Sequence, residues 1–94
     1  MEDVIVIGAG VIGSFISREL SKYDLSILLI ERENDVGNVT SMANSAIVHS
    51  GYDPLPGTKK AYFNVKGNAL FPKVCEELDI QFNKCGSLTI AINE

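Results

Sequence analysis

Hydrophobic and polar residues over the first 30 positions follow the order expected of a strand, a helix and a second strand. Val4 to Ile7 is a continuous β-branched run, typical of a strand buried on both faces in a parallel sheet. From Val11 to about Lys22, apolar residues recur at spacings of three and four, which predicts one apolar stripe on a helix. Ser26 to Ile30 has the composition of a second buried strand. Together these segments predict a βαβ unit.

The residues that follow have a weaker pattern. Asn34 to Thr40 is rich in Asn, Asp, Gly and Thr, which predicts a loop. The small, mildly apolar residues from Ser41 to Val48 allow a short helix. Two glycines and two prolines between Gly51 and Gly57 then predict a second loop.

A long helix and a strand are predicted for the rest of the chain. Thr58 can cap a helix that runs to about Leu78. Pro72 should kink this helix or split it in two, because proline lacks an amide donor and crowds the preceding turn. The final strand is predicted over Ser87 to Ile92.

Composition and charge narrow the class of protein. The 94 residues are 46% hydrophobic and carry a formal net charge of −4, as expected of a soluble globular chain without a nucleic-acid partner. No apolar run approaches the roughly 18 residues of a membrane span. Glu2 and Asp3 stand where a secretory signal would carry positive charge. We therefore expect a cytoplasmic protein without an integral membrane segment.

Cysteine and histidine usage limits metal and disulfide chemistry. Cys75 and Cys85 lie in different predicted elements, with no histidine or third cysteine nearby. Reduced, buried thiols are therefore expected, rather than a disulfide or a metal site. His49 is the only histidine, which excludes a His-rich metal site.

Three glycines lie where the first strand meets the helix, in VIVIGAGVIG (residues 4–13). Gly8 suits a tight turn, Gly10 leaves bare backbone for a diphosphate, and Gly13 permits close contact of helix and strand. The turn also points the positive end of the helix at the phosphates. This arrangement is typical of a dinucleotide site.

An acidic residue completes this motif at the end of the second strand. Glu31 can accept hydrogen bonds from both hydroxyls of a ribose, and its charge disfavours the 2′-phosphate of NADP. Arg32 beside it is a further candidate cofactor contact, because its guanidinium could bind such a phosphate. The order of strand, glycine turn, helix, strand and acid favours dinucleotide binding over a purely structural turn.

The segment GNVTSMANSAIVHSGYDPLPGTKKAYFNVKGN (residues 37–68) is hard to explain as a crossover to a third strand, but it suits a chain laid along an extended ligand. The sequence resembles the flavin-dependent oxidoreductases of the D-amino-acid-oxidase superfamily, especially the FAD-dependent glycerol-3-phosphate dehydrogenases and L-2-hydroxyglutarate oxidases. The resemblance spans essentially all 94 residues. It rests on the three glycines with Glu31, on TSMANSAIVHSGY, on PGTKKAYFNVKGNALFPKVCEELDI and on CGSLTIAI.

The resemblance implies FAD as the cofactor, with contacts along much of the chain. The turn glycines would meet the diphosphate, and the acid would meet the adenosine ribose. The polar segment would lie along the phosphates and ribityl chain and reach the isoalloxazine ring. Ser50 departs from the His-Gly-Gly of the glycerol-3-phosphate branch, which leaves the substrate open. The cofactor contacts implied in this way are Gly8, Gly10, Gly13, Glu31, Thr40, Ser41, Ser45 and Gly51, with His49 as the candidate catalytic residue.

The same resemblance implies the fold class and the domain organisation. The fold class is α/β: a Rossmann-like βαβ unit, a long kinked helix and the first strand of an antiparallel substrate-domain sheet. Residues 1–80 would form the N-terminal part of the FAD-binding domain, and residues 81–94 would begin the substrate-domain sheet. Because such enzymes run to several hundred residues, we expect an N-terminal piece of a longer protein. The rest of that polypeptide, or an oligomer, would cover the exposed sheet.

The implied activity is oxidation of a CH–OH group in a small anionic substrate, with hydride transfer to flavin. His49 could hydrogen-bond the flavin or the substrate, or transfer a proton, and a structural role in the loop is equally open. Lys59, Lys60 and Lys66 either attract an anionic substrate or form a solvated helix face. Two other functions stay open: an NAD-linked Rossmann dehydrogenase domain and a non-catalytic nucleotide-binding module.

Overall fold

A computed structural model describes residues 1–92, and the chain divides into two compact units, Met1–Ile47 and Val48–Glu94. We refer to them as the N-terminal unit and the C-terminal unit. The N-terminal unit contains the two strands and the first helix, and the C-terminal unit contains the second helix. The elements in chain order are β1 (Val4–Ile7), α1 (Val11–Leu20), β2 (Ile27–Ile30) and α2 (Lys59–Glu77).

The N-terminal unit is a βαβ unit, as predicted. β1 and β2 are parallel, in a register that runs from Val4 opposite Ile27 to Ile7 opposite Ile30. The amide of Gly8 donates to the Ile30 carbonyl at 2.7 Å, so backbone pairing continues into the glycine turn. α1 packs on both strands. This arrangement brings the turn after β1 next to the end of β2.

The predicted burial of β1 on both faces is wrong for the described residues. Along the strand half-buried and exposed positions alternate, and the side chains of Ile5 and Ile7 are 56% and 84% exposed. Successive strand residues point to opposite faces, and α1 covers only the face that carries Val6. Two residues of the predicted α1 stripe, Ile12 and Ile16, are exposed as well.

Helix α2 confirms the predicted long helix and its cap. The Thr58 hydroxyl accepts a hydrogen bond from the Ala61 amide at 3.2 Å, which satisfies one of the free donors of the first turn. The helix continues through Pro72, so it is not split in two, and a kink there stays a prediction. Cys75 in α2 is buried, as predicted. Cys85 is exposed, contrary to the prediction of two buried thiols.

The short helix expected at residues 41–48 is not formed. These residues form turns and irregular backbone instead. The Asn44 side chain donates to the Ser41 carbonyl and accepts from the Ala46 amide, and Ala46 has a φ of 53°. Such local bonds from asparagine compete with helical backbone bonds, which explains the missing helix.

The predicted strand Ser87–Ile92 is not formed in the described part of the chain. A strand requires a hydrogen-bonded neighbour, and residues 81–92 pair with no other segment there. The start of an antiparallel substrate-domain sheet therefore stays a prediction. Within residues 1–92, no helix combines the length and apolar character needed to cross a membrane.

Candidate functional site

The glycine turn brings α1 unusually close to β1. Gly8 has a φ of 97°, a left-handed conformation that favours glycine. A Cβ atom added to Gly13 would lie 1.9 Å from the Gly8 carbonyl oxygen and 3.1 Å from its carbonyl carbon. The first helical turn therefore rests directly on the backbone of the preceding turn, as the sequence predicts for Gly13.

Between the first two glycines lies Ala9, a residue that sequence analysis did not single out. It is only 1% exposed, and its backbone joins three parts of the N-terminal unit. Its amide donates to Glu31 Oε2 at 2.7 Å, and its carbonyl accepts from the Gly37 amide at 2.9 Å. The turn is thereby tied both to the end of β2 and to the following loop. Gly37 has a φ of 69°, a conformation that favours glycine, so the glycine at this position is the sequence feature that could have indicated the second attachment.

The Glu31 carboxylate is held by backbone amides. Besides Ala9, the amides of Glu33 and Arg32 donate to Oε1, at 2.9 and 2.8 Å. These bonds favour the ionised form and hold the pKa of Glu31 below its usual value; the Glu33 amide contributes most, then the Ala9 amide, against partial burial. Glu31 therefore stands beside the glycine turn as a carboxylate.

Stability at acidic pH should report this arrangement. Because the folded pKa of Glu31 is below the unfolded value, ionised Glu31 stabilises the fold above about pH 4.3, and this contribution disappears as the pH falls through the lowered pKa. A Glu31→Gln variant should have a lower urea midpoint than the parent at pH 7, and this difference should become smaller as the pH falls through the acidic range. A difference in midpoint that did not change with pH would contradict the bonding described here.

The start of α1 is capped by a residue that is distant in sequence. Gly10 is the N-cap and has no side chain, and the Ser41 hydroxyl accepts from the Val11 amide at 2.7 Å instead. A Cβ atom added to Gly10 would lie 3.1 Å from Ser41 Oγ, which is a tight contact. The next amides of the first turn have no intrahelical acceptor, and the helix dipole makes this end positive. The helix start therefore remains suited to an anion.

A cleft of about 160 Å³ opens at this helix start. Pockets that enclose a whole drug-sized ligand have about 300–1,000 Å³, so this cleft accommodates only part of a dinucleotide. Donors at the helix start and a carboxylate acceptor on its wall suit a diphosphate joined to a ribose, so the residues present fit the adenosine diphosphate half of FAD. The cleft is lined by Gly10, Glu31, Gly37, Asn38, Val39, Thr40 and Ser41.

Four of the predicted cofactor contacts meet in this cleft: Gly10, Glu31, Thr40 and Ser41. Gly8 and Gly13 shape the turn behind it. Two other candidates lie elsewhere. The Arg32 side chain is 86% exposed and pairs with Glu33, and Ser45 is an exposed residue outside the cleft lining.

His49 and Gly51 belong to the C-terminal unit, where they contact α2. The His49 carbonyl accepts from Asn68 Nδ2 at 3.1 Å, and the His49 side chain is exposed. Gly51 has a φ of 100°, and a Cβ atom there would lie 2.5 Å from Val65 Cγ2. The segment that carries the candidate catalytic residue is thus attached to one face of a long helix.

The lysine cluster is a solvated surface. Lys60 pairs with Asp53 at 3.7 Å, and Lys66 Nζ lies 5.6 Å from the centre of the Tyr62 ring. All three lysines of the cluster are exposed. Over residues 1–92, no three side chains of His, Cys, Asp or Glu form a group that could hold a metal ion.

The chain is similar in sequence to known oxidoreductases. A family model described as "FAD dependent oxidoreductase" matches residues 3–94. The chain is 58% identical over 94 residues to glycerol 3-phosphate dehydrogenase of Caloramator mitchellensis. It is 42% identical over 89 residues to mitochondrial L-2-hydroxyglutarate dehydrogenase of Arabidopsis thaliana, and 37% identical over 92 residues to glycerol 3-phosphate oxidase of Mycoplasma genitalium.

These alignments cover 100%, 95% and 97% of the chain, but only 20%, 18% and 24% of the three relatives. The chain thus spans about a fifth of the length of the curated relatives it matches. No solved structure matches it significantly.

Proposed function

The chain belongs to the FAD-dependent oxidoreductase family, whose members bind FAD, and we therefore propose that its N-terminal unit holds the adenosine diphosphate half of FAD. The observation that carries the proposal is the 2.7 Å hydrogen bond from the Ala9 amide to Glu31 Oε2. This bond holds the Glu31 carboxylate, the proposed ribose acceptor, beside the glycine turn. In adenosine diphosphate the ribose and the diphosphate are covalently joined, so the groups that bind them must be neighbours. The nearness of Glu31 to the start of α1 in this cleft supports the proposal.

Each group in the cleft has a role in this proposal. The free amides at the start of α1 donate to the diphosphate, where the helix dipole favours negative charge. Ser41 uses its oxygen to accept from the Val11 amide, which leaves its hydroxyl proton for a phosphate oxygen. Glu31 accepts from the ribose hydroxyls while the backbone amides keep it ionised. Thr40 offers a further hydroxyl on the cleft wall.

For the whole protein we propose oxidation of a CH–OH group in a small anionic substrate such as glycerol 3-phosphate or a 2-hydroxy acid. The names of the relatives support this substrate class. When bound, FAD supplies the two-electron acceptor for the oxidation. His49 takes the hydroxyl proton of the substrate, since an imidazole can accept a proton near neutral pH. Family membership speaks against the NAD-linked alternative.

The cofactor part of this proposal is tested by Glu31→Ala in the intact native protein. Removal of a charged hydrogen-bond acceptor from the ribose should weaken FAD binding about ten- to a hundredfold. Glu33→Ala is the matched control, because it removes a carboxylate two residues away that does not line the cleft. Its dissociation constant for FAD should stay within about twofold of the parent. An unchanged FAD affinity in Glu31→Ala would reject the placement of the ribose.

The chemical part is tested with the purified native protein. We expect the visible absorption spectrum of oxidised flavin, which bleaches when the substrate is added without an electron acceptor. Glycerol 3-phosphate and L-2-hydroxyglutarate should be compared directly, with an artificial acceptor for turnover. A colourless protein that binds no added FAD would reject the proposed function.

A further inference from the structure

The segment around His49 is attached to one face of α2 at two points. The first is the 3.1 Å hydrogen bond from Asn68 Nδ2 to the His49 carbonyl. The second is Gly51, whose lack of a side chain lets the backbone approach Val65 and Asn64. A Cβ atom added to Gly51 would lie 3.6 Å from Asn64 Oδ1. These helix residues are one turn apart and share a face of α2. The two attachments lie on either side of Ser50.

Without Asn68, this segment would lose its hydrogen bond to the helix and keep only the close contact at Gly51. His49 lies outside the helices and strands, so no ladder partner is expected for its carbonyl, and the Asn68 amide takes that place. The contact at Gly51 limits how closely the segment approaches α2. It does not fix the orientation of the segment, because a van der Waals contact is not directional. The direction in which residue 49 projects therefore depends on the Asn68 hydrogen bond.

We propose that Asn68 is a positioning residue for His49: its side-chain amide fixes the His49 backbone and thereby the place from which the imidazole acts. This inference rests on the proposed function, in which His49 moves the substrate proton. Asn68 itself touches neither substrate nor cofactor in this role. A shift of the imidazole should slow proton transfer, because rates depend steeply on the alignment of the reacting groups.

The test is Asn68→Asp in the intact native protein. Aspartate keeps the shape of asparagine but cannot donate from that position when ionised, so the bond to the His49 carbonyl is lost. We expect kcat to fall about tenfold, with unchanged FAD content and melting temperature. Hydrogen exchange in peptides that cover residues 48–53 should become faster. Ala69→Asp, which adds the same charge to an exposed neighbour on α2, should leave kcat and this exchange unchanged.

A double-mutant cycle with His49→Ala separates positioning from a general structural role. If Asn68 acts through His49, Asn68→Asp should reduce kcat in the parent and have no further effect in the His49→Ala background. An equal reduction in both backgrounds, or unchanged kcat and exchange in Asn68→Asp, would overturn the inference. If Asn68→Asp does not fold, the uncharged Asn68→Ala decides by the same criteria.

Failure of the proposed function gives a different result. Parental kcat in His49→Ala would remove His49 from the chemistry, and the role of Asn68 would fall with it. Impaired His49→Ala together with a silent Asn68→Asp would reject only the positioning role.

Discussion

Replacement of Gly13 by alanine should destabilise the N-terminal unit by about 3 kcal/mol or more and abolish FAD retention. The new Cβ would lie 1.9 Å from the Gly8 carbonyl oxygen, a backbone atom that cannot move aside as a flexible side chain could. Relief requires that α1 move away from β1. The same movement would shift the amides at the start of α1 away from Glu31 and Ser41, so the proposed diphosphate site would be lost together with the packing.

Gly67→Ala provides the matched control for this substitution. Gly67 lies within α2, and an added Cβ there meets nothing within 4 Å. The substitution should leave FAD content unchanged and raise stability by about 0.5–1 kcal/mol, since glycine is costly inside a helix. Urea unfolding and the ratio of flavin to protein absorbance measure both effects. A Gly13→Ala protein with the stability and FAD content of the parent would show that α1 does not rest on the turn as described.

Replacement of His49 by alanine should reduce kcat about 10²–10⁴-fold, the usual contribution of a general base. FAD content should remain that of the parent, because His49 lies outside the cleft proposed for the adenosine diphosphate. The exposed His49 side chain and its backbone attachment to α2 leave the imidazole available to a substrate.

His49→Gln refines this experiment, because glutamine keeps hydrogen-bonding groups but cannot take up a proton. If proton transfer is the role of His49, both variants should be similarly slow. A glutamine variant as active as the parent would assign a hydrogen-bonding role instead. Parental activity in His49→Ala would remove the residue from the mechanism.

Local sequence patterns were sufficient to predict the βαβ unit and the long helix. β1 and α1 follow from the period of their apolar residues, and the steric need for Gly13 follows from its place in the turn. The Thr58 cap was predicted for the same reason, because its hydrogen bond spans only three residues. In each case the interacting residues are close in sequence or belong to one repeating motif.

Contacts between distant residues were not predictable in this way. The bond from the Val11 amide to Ser41 joins positions 30 residues apart, and nothing in either local pattern specifies it. The same holds for Asn68 and His49, which are 19 residues apart. Local competition also changed one prediction, because the side-chain bonds of Asn44 replaced the short helix expected there.

Exposure was the other property that periodicity did not predict. An apolar run such as β1 indicates a strand that can be buried on both faces, but burial depends on the elements that pack against it. In the N-terminal unit, α1 covers one face, so Ile5 and Ile7 are exposed. Likewise, residues 87–92 alternate polar or small residues with Leu and Ile as a strand does, but in the described part of the chain they lack the pairing that a strand requires.

A crystal structure of the intact native protein with FAD would show whether the N-terminal unit holds the adenosine diphosphate half of the cofactor. We predict that the diphosphate lies against the amides at the start of α1 and that the Glu31 carboxylate accepts hydrogen bonds of about 2.5–3.0 Å from the adenosine ribose hydroxyls. A diphosphate bound away from the glycine turn, or a ribose that does not contact Glu31, would contradict this account.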